Sequence, residues 1–254
     1  MARHPILLVH VAMRSEAKMD TPLLELTSEE GWSNNLPSLE GCRVMGLISG
    51  VGKVNAAAAI GYAFARLSPS ALINVGYCAS LVPELSTGSI VIPSTAVQYD
   101  YGHYEAGQRT VVRAGRPTIE GRKRPAMEAY FHFDARLRAS LIMSLSTSNN
   151  LGEKIFRSQE VCVTSGDTFI ADEAEARRVR DLTSGSILDM EAAAVAQVCA
   201  VAGVPAVAIK VVSDHACGNA REVYKLSLTD FSAGIAEIFN FITESADDLL
   251  RTLA

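Results

Sequence analysis

The stretch VMGLISGVGKVNAAAAIGYAFARLSPSALINV (residues 44–75) decides the fold. Its apolar run Val44–Ser49 predicts a strand, the Ala-rich run Lys53–Leu67 a helix, and Ala71–Val75 a second strand. The turn Ser49-Gly50-Val51-Gly52-Lys53-Val54 has some features of a phosphate-binding loop. That loop needs glycine five residues before the glycine of the GK pair, and Ser or Thr after the lysine. Those positions hold Leu47 and Val54, so the reading is rejected. No GxGxxG and no GxSxG occurs elsewhere in the chain.

Outward from this unit the alternation continues. Further strands are predicted over Ile6–Ala12, Ser89–Val97, Glu160–Thr164, Ser186–Leu188 and Pro205–Val212. Further helices are predicted over Asp134–Leu145, Asp172–Leu182, Glu191–Ala202 and Leu228–Leu253. Several strand runs are continuously apolar, as in sheets covered on both faces. The order implies an α/β fold with a mixed, mostly parallel central sheet flanked by helices. No short repeat and no linker divides the chain, so residues 1–254 read as a single domain. Asp100–Arg124 has no clear period and reads as a long loop. Loops of that length serve as lids, binding loops or partner contacts, or are simply solvated. Arg109, Arg113, Arg116, Arg122, Lys123 and Arg124 make this one basic.

Of the 254 residues, 48% are hydrophobic and 20% charged, and the net charge is −5. This fits a soluble globular enzyme and argues against a nucleic-acid-binding protein, whose footprint is basic. The five cysteines form no CxxC pair, and the five histidines have no metal spacing. No metal is expected. Free cysteines in apolar runs point to a reducing compartment, the cytoplasm. His10, Arg14 and Glu16 interrupt what a signal peptide would need at the N-terminus, and no run is long enough to span a membrane.

Ligands of open α/β sheets bind beyond the C-terminal ends of the strands. Polar residues there are found in AMRSE (12–16), NVGYCAS (74–80), SGDTFI (165–170) with DME (189–191), and VVSD (211–214). They supply Glu16, Asp167, Glu191 and Asp214. Singly, each is better explained as a first-turn acid or a cap. Jointly, several carboxylates with little other catalytic equipment suggest acid/base chemistry on a small molecule. Lys210 lies four residues before Asp214, on the same side of a regular strand. It reads as one half of an internal ion pair.

SGVGKVNAAAA (49–59), ALINVG (71–76), TGSIVIPSTAVQYD (87–100), SGDTFIAD (165–172), DMEAAAVAQVC (189–199), GVPAVAIKVVSD (203–214) and AMRSE together resemble 5′-methylthioadenosine/S-adenosylhomocysteine nucleosidases of the purine nucleoside phosphorylase superfamily. The resemblance runs from about residue 5 to 214, in order. It implies a nucleoside phosphorylase-like fold and hydrolysis of the N-glycosidic bond of both thionucleosides, releasing adenine and a thioribose. It also implies a place in methionine salvage, no cofactor, and a homodimer whose partner loop closes the 5′ pocket. By position, Glu16 activates water and Asp214 donates a proton to purine N7, beside Ser213. Phe169 stacks on the base and Ile170 meets its edge. Met190 and Glu191 hold the ribose, and Met13 lines the sugar pocket. Tyr77 and Cys78 fall in the turn after ALINVG, where the family has a small residue and two glycines. This chain reads Tyr77, Cys78, Ala79, Ser80 there, which implies a reshaped pocket. Either Tyr224 or Leu228 is placed to cap the 5′ group.

Two other activities fit parts of the sequence. A phosphorolytic purine nucleoside phosphorylase would need a phosphate site, for which Arg14 and Arg43 are available. Glu16 disfavours it, because a carboxylate repels phosphate but suits water. A hydrolase of another nucleoside, such as futalosine, would use Tyr77 and the basic loop to take a different 5′ group. A non-catalytic nucleoside-binding module is disfavoured by Glu16, Glu191 and Asp214 occurring together.

Overall fold

A computed structural model describes residues 5–17, 23–25, 43–112, 129–148, 150–158 and 160–253. The first half runs β1 (Leu7–Val11), β2 (Leu23–Glu25), β3 (Val44–Ile48), α1 (Lys53–Leu67), β4 (Ala71–Ser80), β5 (Ile90–Val91), β6 (Thr95–Gln98), β7 (Gly102–Glu105), β8 (Gln108–Val111) and β9 (Tyr130–His132). The second half runs α2 (Ala135–Ser146), β10 (Cys162–Ser165), α3 (Glu173–Thr183), β11 (Ile187–Asp189), α4 (Ala192–Ala202), β12 (Ala206–Asp214), α5 (Ala220–Asp230) and α6 (Ser232–Arg251).

One mixed sheet carries the order β2-β3-β1-β4-β11-β10-β6-β9, and β12 joins it along β4 and also pairs with β5. β1, β3, β4 and β12 run parallel, whereas β11 meets the end of β4 antiparallel. Alternate residues of the central strands feed two cores. Leu8, Leu72, Cys78, Ala208 and Val212 pack with α1 and α4. Leu7, Val9, Val11, Ile73, Val75, Ile209 and Val211 pack with α2 and α6. Both faces are covered, which is why these strands read as continuous apolar runs. α1 buries Ala56, Ala59, Ile60, Ala63 and Leu67, one stripe at helical spacing.

Besides adding the short strands β2 and β9, the structure differs from the sequence reading at four places. β4 does not turn after Gly76 but continues to Ser80, paired with β12 and then β11. With Tyr77, Cys78, Ala79 and Ser80 in place of glycines, this segment has β-compatible side chains to pack on both faces. Ser89–Val97 splits into β5 and β6 around Pro93, whose ring cannot donate to a ladder. Leu228–Leu253 is part of two helices that break at Phe231, whose φ and ψ leave the helical region. The segment read as a loop from Asp100 forms the β7–β8 hairpin, turning through Ala106 and Gly107 at positive φ. Arg109 lies in that hairpin, and residues 113–128 with the other basic side chains lie outside the described residues.

Candidate functional site

The parallel strands β1, β4 and β12 end on one edge of the sheet. β10 and β11, which run opposite to β4, bring Asp189 to Lys210 of β12. The chemistry-bearing residues gather around these ends. Glu16 lies in the turn after β1 and is buried. Its Oε2 accepts from the backbone N–H groups of Ala12 (3.1 Å) and Met13 (2.9 Å). Its Oε1 accepts from Tyr77 N–H on β4 at 3.4 Å. Burial raises the Glu16 pKa, against the pull of these amides and of Lys210. Gly76 makes this approach possible: a β-carbon there would sit 3.2 Å from Glu16 Oε1 and 3.5 Å from Lys210 Nζ.

Asp214 ends β12 and is 3% exposed. One oxygen accepts from Ala216 N–H, the other from Ser213 Oγ, both at 2.8 Å. The first bond is a turn cap, so the structural reading of this residue holds as well. The Ser213 hydroxyl also lies 3.1 Å from the Cys78 carbonyl. Burial is the leading influence on Asp214 and raises its pKa. A register shift between Val212 and Asp214 breaks the period-two count that placed Lys210 and Asp214 on one side.

Lys210 is 1% exposed and pairs with Asp189 at 2.7 Å, as the internal ion-pair reading expected. Asp189 also accepts from Ser165 Oγ and from Ala192 N–H at the start of α4. Burial works against the ammonium, but Asp189, Glu191 and Glu16 outweigh it and raise the Lys210 pKa.

Glu191 stands at the N-cap position of α4 yet makes no side-chain cap bond to its own helix. Its Oε1 instead accepts Gly52 N–H at 2.8 Å, across from the start of α1. Burial, then Asp189, raise its pKa. Gly52 has φ 100 and ψ 158, a region essentially restricted to glycine. A β-carbon there would also lie 3.1 Å from Asp167 Oδ1. Gly52→Ala is therefore expected to lower stability by about 1–3 kcal/mol in urea melts. An unchanged midpoint would remove Gly52 as a constraint on Glu191.

Aromatic rings wall this edge. Tyr224 of α5 contacts Tyr77 edge-on at 6.1 Å and Phe169 at 5.8 Å between centroids. Its hydroxyl reaches Met13 Sδ at 4.0 Å. Tyr77 is buried, whereas Phe169 is 45% exposed and free to meet a ligand face. Sequence reasoning left Tyr224 and Leu228 level. Both side chains pack against the α2–α6 core, and Tyr224 is the one whose ring also contacts Tyr77 and Phe169. Met190 is half-buried after β11. Ile170 is buried with Tyr99, Leu188 and Ala216. The Cys78 side chain is in the α1–α4 core, so only its carbonyl is on the Asp214 side of the strand.

Asp167 does not join the other acids. It accepts Lys53 N–H at 2.8 Å, at the start of α1. Lys53 Nζ in turn bonds Asp100 at 2.5 Å and Gln98 at 3.1 Å. Its spacing after a strand is like that of the other acids, but its side chain is 47% exposed whereas Glu16, Glu191 and Asp214 are buried.

The family model of the phosphorylase superfamily matches residues 20–245. A 5′-methylthioadenosine/S-adenosylhomocysteine nucleosidase of Anoxybacillus flavithermus is 32% identical over 183 residues, 70% of this chain and 71% of that protein. The nucleosidase of that name from Neisseria meningitidis, solved with methylthio-immucillin-A, shares the fold with TM-score 0.73. It is 24% identical, over 95% of this chain and all of that one. Futalosine hydrolase of Helicobacter pylori superimposes with TM-score 0.72 at 18% identity, over 95% of this chain and 98% of that chain. The chain belongs to the phosphorylase superfamily, in its family of 5′-methylthioadenosine/S-adenosylhomocysteine nucleosidases.

Proposed function

We propose that this protein hydrolyses the N-glycosidic bond of 5′-methylthioadenosine and S-adenosylhomocysteine, releasing adenine and the thioribose. The observation that carries it is the pairing of two buried carboxylates with raised pKa, Glu16 and Asp214, at the ends of β1 and β12. Adenine leaves poorly as an anion. Protonation of N7 by Asp214 turns it into a neutral leaving group, and the sugar becomes oxocarbenium-like. Glu191 accepts hydrogen bonds from the ribose hydroxyls and stabilises that charge. Glu16 orients a water and takes its proton. Phe169 stacks on the base, Ile170 presents backbone to its edge, and Ser213 holds Asp214. Met13, Met190, Tyr77 and the Cys78 backbone form the sugar side, with Tyr224 capping the 5′ group.

The chain's own residues supply the acid, the base and the ribose contact in this scheme. Water is preferred over phosphate because Glu16 is tied to the backbone beside the attacking position. The test is adenine release from both thionucleosides, adenosine, inosine and futalosine, with and without phosphate. Phosphate-independent release from the first two is expected. Strict phosphate dependence, or turnover of futalosine alone, would replace this reading.

The reading extends to a cytoplasmic homodimer acting in methionine salvage. Val51, Val54, Tyr101, Tyr104 and Val112 are exposed apolar side chains on segments joined through Lys53 and Asp100. Such a patch suits a partner subunit. The described cysteines Cys78, Cys162, Cys199 and Cys217 are free thiols, as a reducing compartment favours. No helix among the described residues is long and apolar enough to cross a membrane.

A further inference from the structure

His10 breaks the pattern of its own strand. β1 is buried at every position and otherwise apolar, yet its fourth residue is a histidine with no exposure. His10 Nε2 lies 2.8 Å from Ser49 Oγ, and Asn74 Nδ2 lies 2.9 Å from His10 Nδ1. Ser49 Oγ also donates to the Gly50 carbonyl at 2.7 Å.

Counting protons gives this chain a direction. The Ser49 hydroxyl has one hydrogen, and Gly50 O takes it, so His10 Nε2 must be the donor to Ser49. His10 Nδ1 is then the acceptor for the Asn74 amide. The ring is neutral, and burial followed by the Lys210 charge lowers its pKa to about 3, which keeps it so. Donation runs one way: Asn74 to His10, His10 to Ser49, Ser49 to the Gly50 carbonyl. Asn74 Oδ1 is left with no hydrogen-bond partner among the described residues. Leaving a buried acceptor without a partner is destabilising. An apolar residue at position 10 would suit the covered strand better, so the arrangement is not there for stability alone.

The end of the relay is the glycine turn before α1. Gly50 and Gly52 both have positive φ, and Gly50 N–H is tied to Ala12 O at 2.9 Å. Two residues on, Gly52 N–H holds Glu191 Oε1. We propose that His10 is a positioning residue: the relay Asn74–His10–Ser49 fixes the 50–52 turn so that Gly52 N–H holds the Glu191 carboxylate in register for the ribose hydroxyls. This rests on the ribose role proposed for Glu191.

The test compares the wild-type protein with His10→Leu, Ser49→Ala and His10→Gln. Glutamine offers a donor and an acceptor from one amide and is expected to restore the relay. Hydrogen exchange reads the turn without any ligand, and the Gly52 amide is expected to exchange about tenfold faster in His10→Leu and Ser49→Ala, on the scale of one hydrogen bond. Calorimetry with adenosine and 2′,3′-dideoxyadenosine reads the consequence. Affinity for adenosine is expected to fall about tenfold in the same two variants. Affinity for the dideoxy analogue, which has no hydroxyls for Glu191, is expected to stay within about twofold of wild type, and His10→Gln to restore both readouts.

Equal losses on both nucleosides, or unchanged Gly52 exchange, would overturn the relay. If His10→Leu does not fold, Ser49→Ala decides alone, since it removes only a hydroxyl. If the wild-type protein binds neither nucleoside, the functional reading falls, and the relay stands or falls on the exchange result.

Discussion

Asp214→Asn is expected to lower turnover of 5′-methylthioadenosine at least about 10²-fold, the lower end of what general acid catalysis contributes. The substitution is close to isosteric. Asparagine keeps an oxygen to accept Ala216 N–H, and the Ser213 hydroxyl retains the Cys78 carbonyl as its acceptor. The fold should survive, and the lost property is the transferable proton. The pH profile follows from the two raised carboxylates. Asp214 acts when protonated, so the rate falls as pH rises through its raised pKa. Glu16 acts when ionised, so the rate falls as pH drops through its own raised pKa. Both limbs therefore sit above the ordinary carboxylate range. A near-normal rate for a folded Asp214→Asn protein would sink the acid assignment.

Lys210→Met is expected to cost about 3–5 kcal/mol of stability, the usual penalty for breaking a buried ion pair. The ammonium is the shared counter-charge for Asp189, Glu191 and Glu16. Without it, Asp189 keeps, among the described residues, its bonds to Ser165 and Ala192, with other acids close by. A domain has only about 5–15 kcal/mol to lose, so the urea midpoint should move far. Replacing both partners, Lys210→Met with Asp189→Leu, should recover much of the loss. If the single variant costs under about 1 kcal/mol, this pair is not the buried keystone that its exposure implies.

The periodic elements were legible because local physics controls them. α1 was bounded correctly at Lys53 and Leu67, where a glycine turn precedes it and Ser68-Pro69 follows it. The family was legible because its motifs run in order along most of the chain. The hairpin at Gly102–Val111 was not, since short exposed strands carry no apolar alternation, and its turn uses Ala106 at positive φ. The end of β4 was misjudged because the family expectation of a glycine turn was applied to residues that have lost those glycines.

The sequence alone was enough to settle that this is a covered, mostly parallel α/β sheet with acids beyond its strand ends. Those features depend on residue type and short-range period, which a chain carries in one dimension. Which acids share a site depended on three-dimensional placement. Asp167 and Glu191 look alike along the chain, yet the start of α1 takes Asp167 through Lys53 N–H and Glu191 through Gly52 N–H. Glu16 reaches the Tyr77 amide beside Gly76, where a β-carbon would lie 3.2 Å from its Oε1, and Asp214 leaves the period-two line because β12 shifts register beside β4. Contacts of that kind join residues more than sixty positions apart, and their burial, which sets the proton affinities, exists only once the sheet has closed around them.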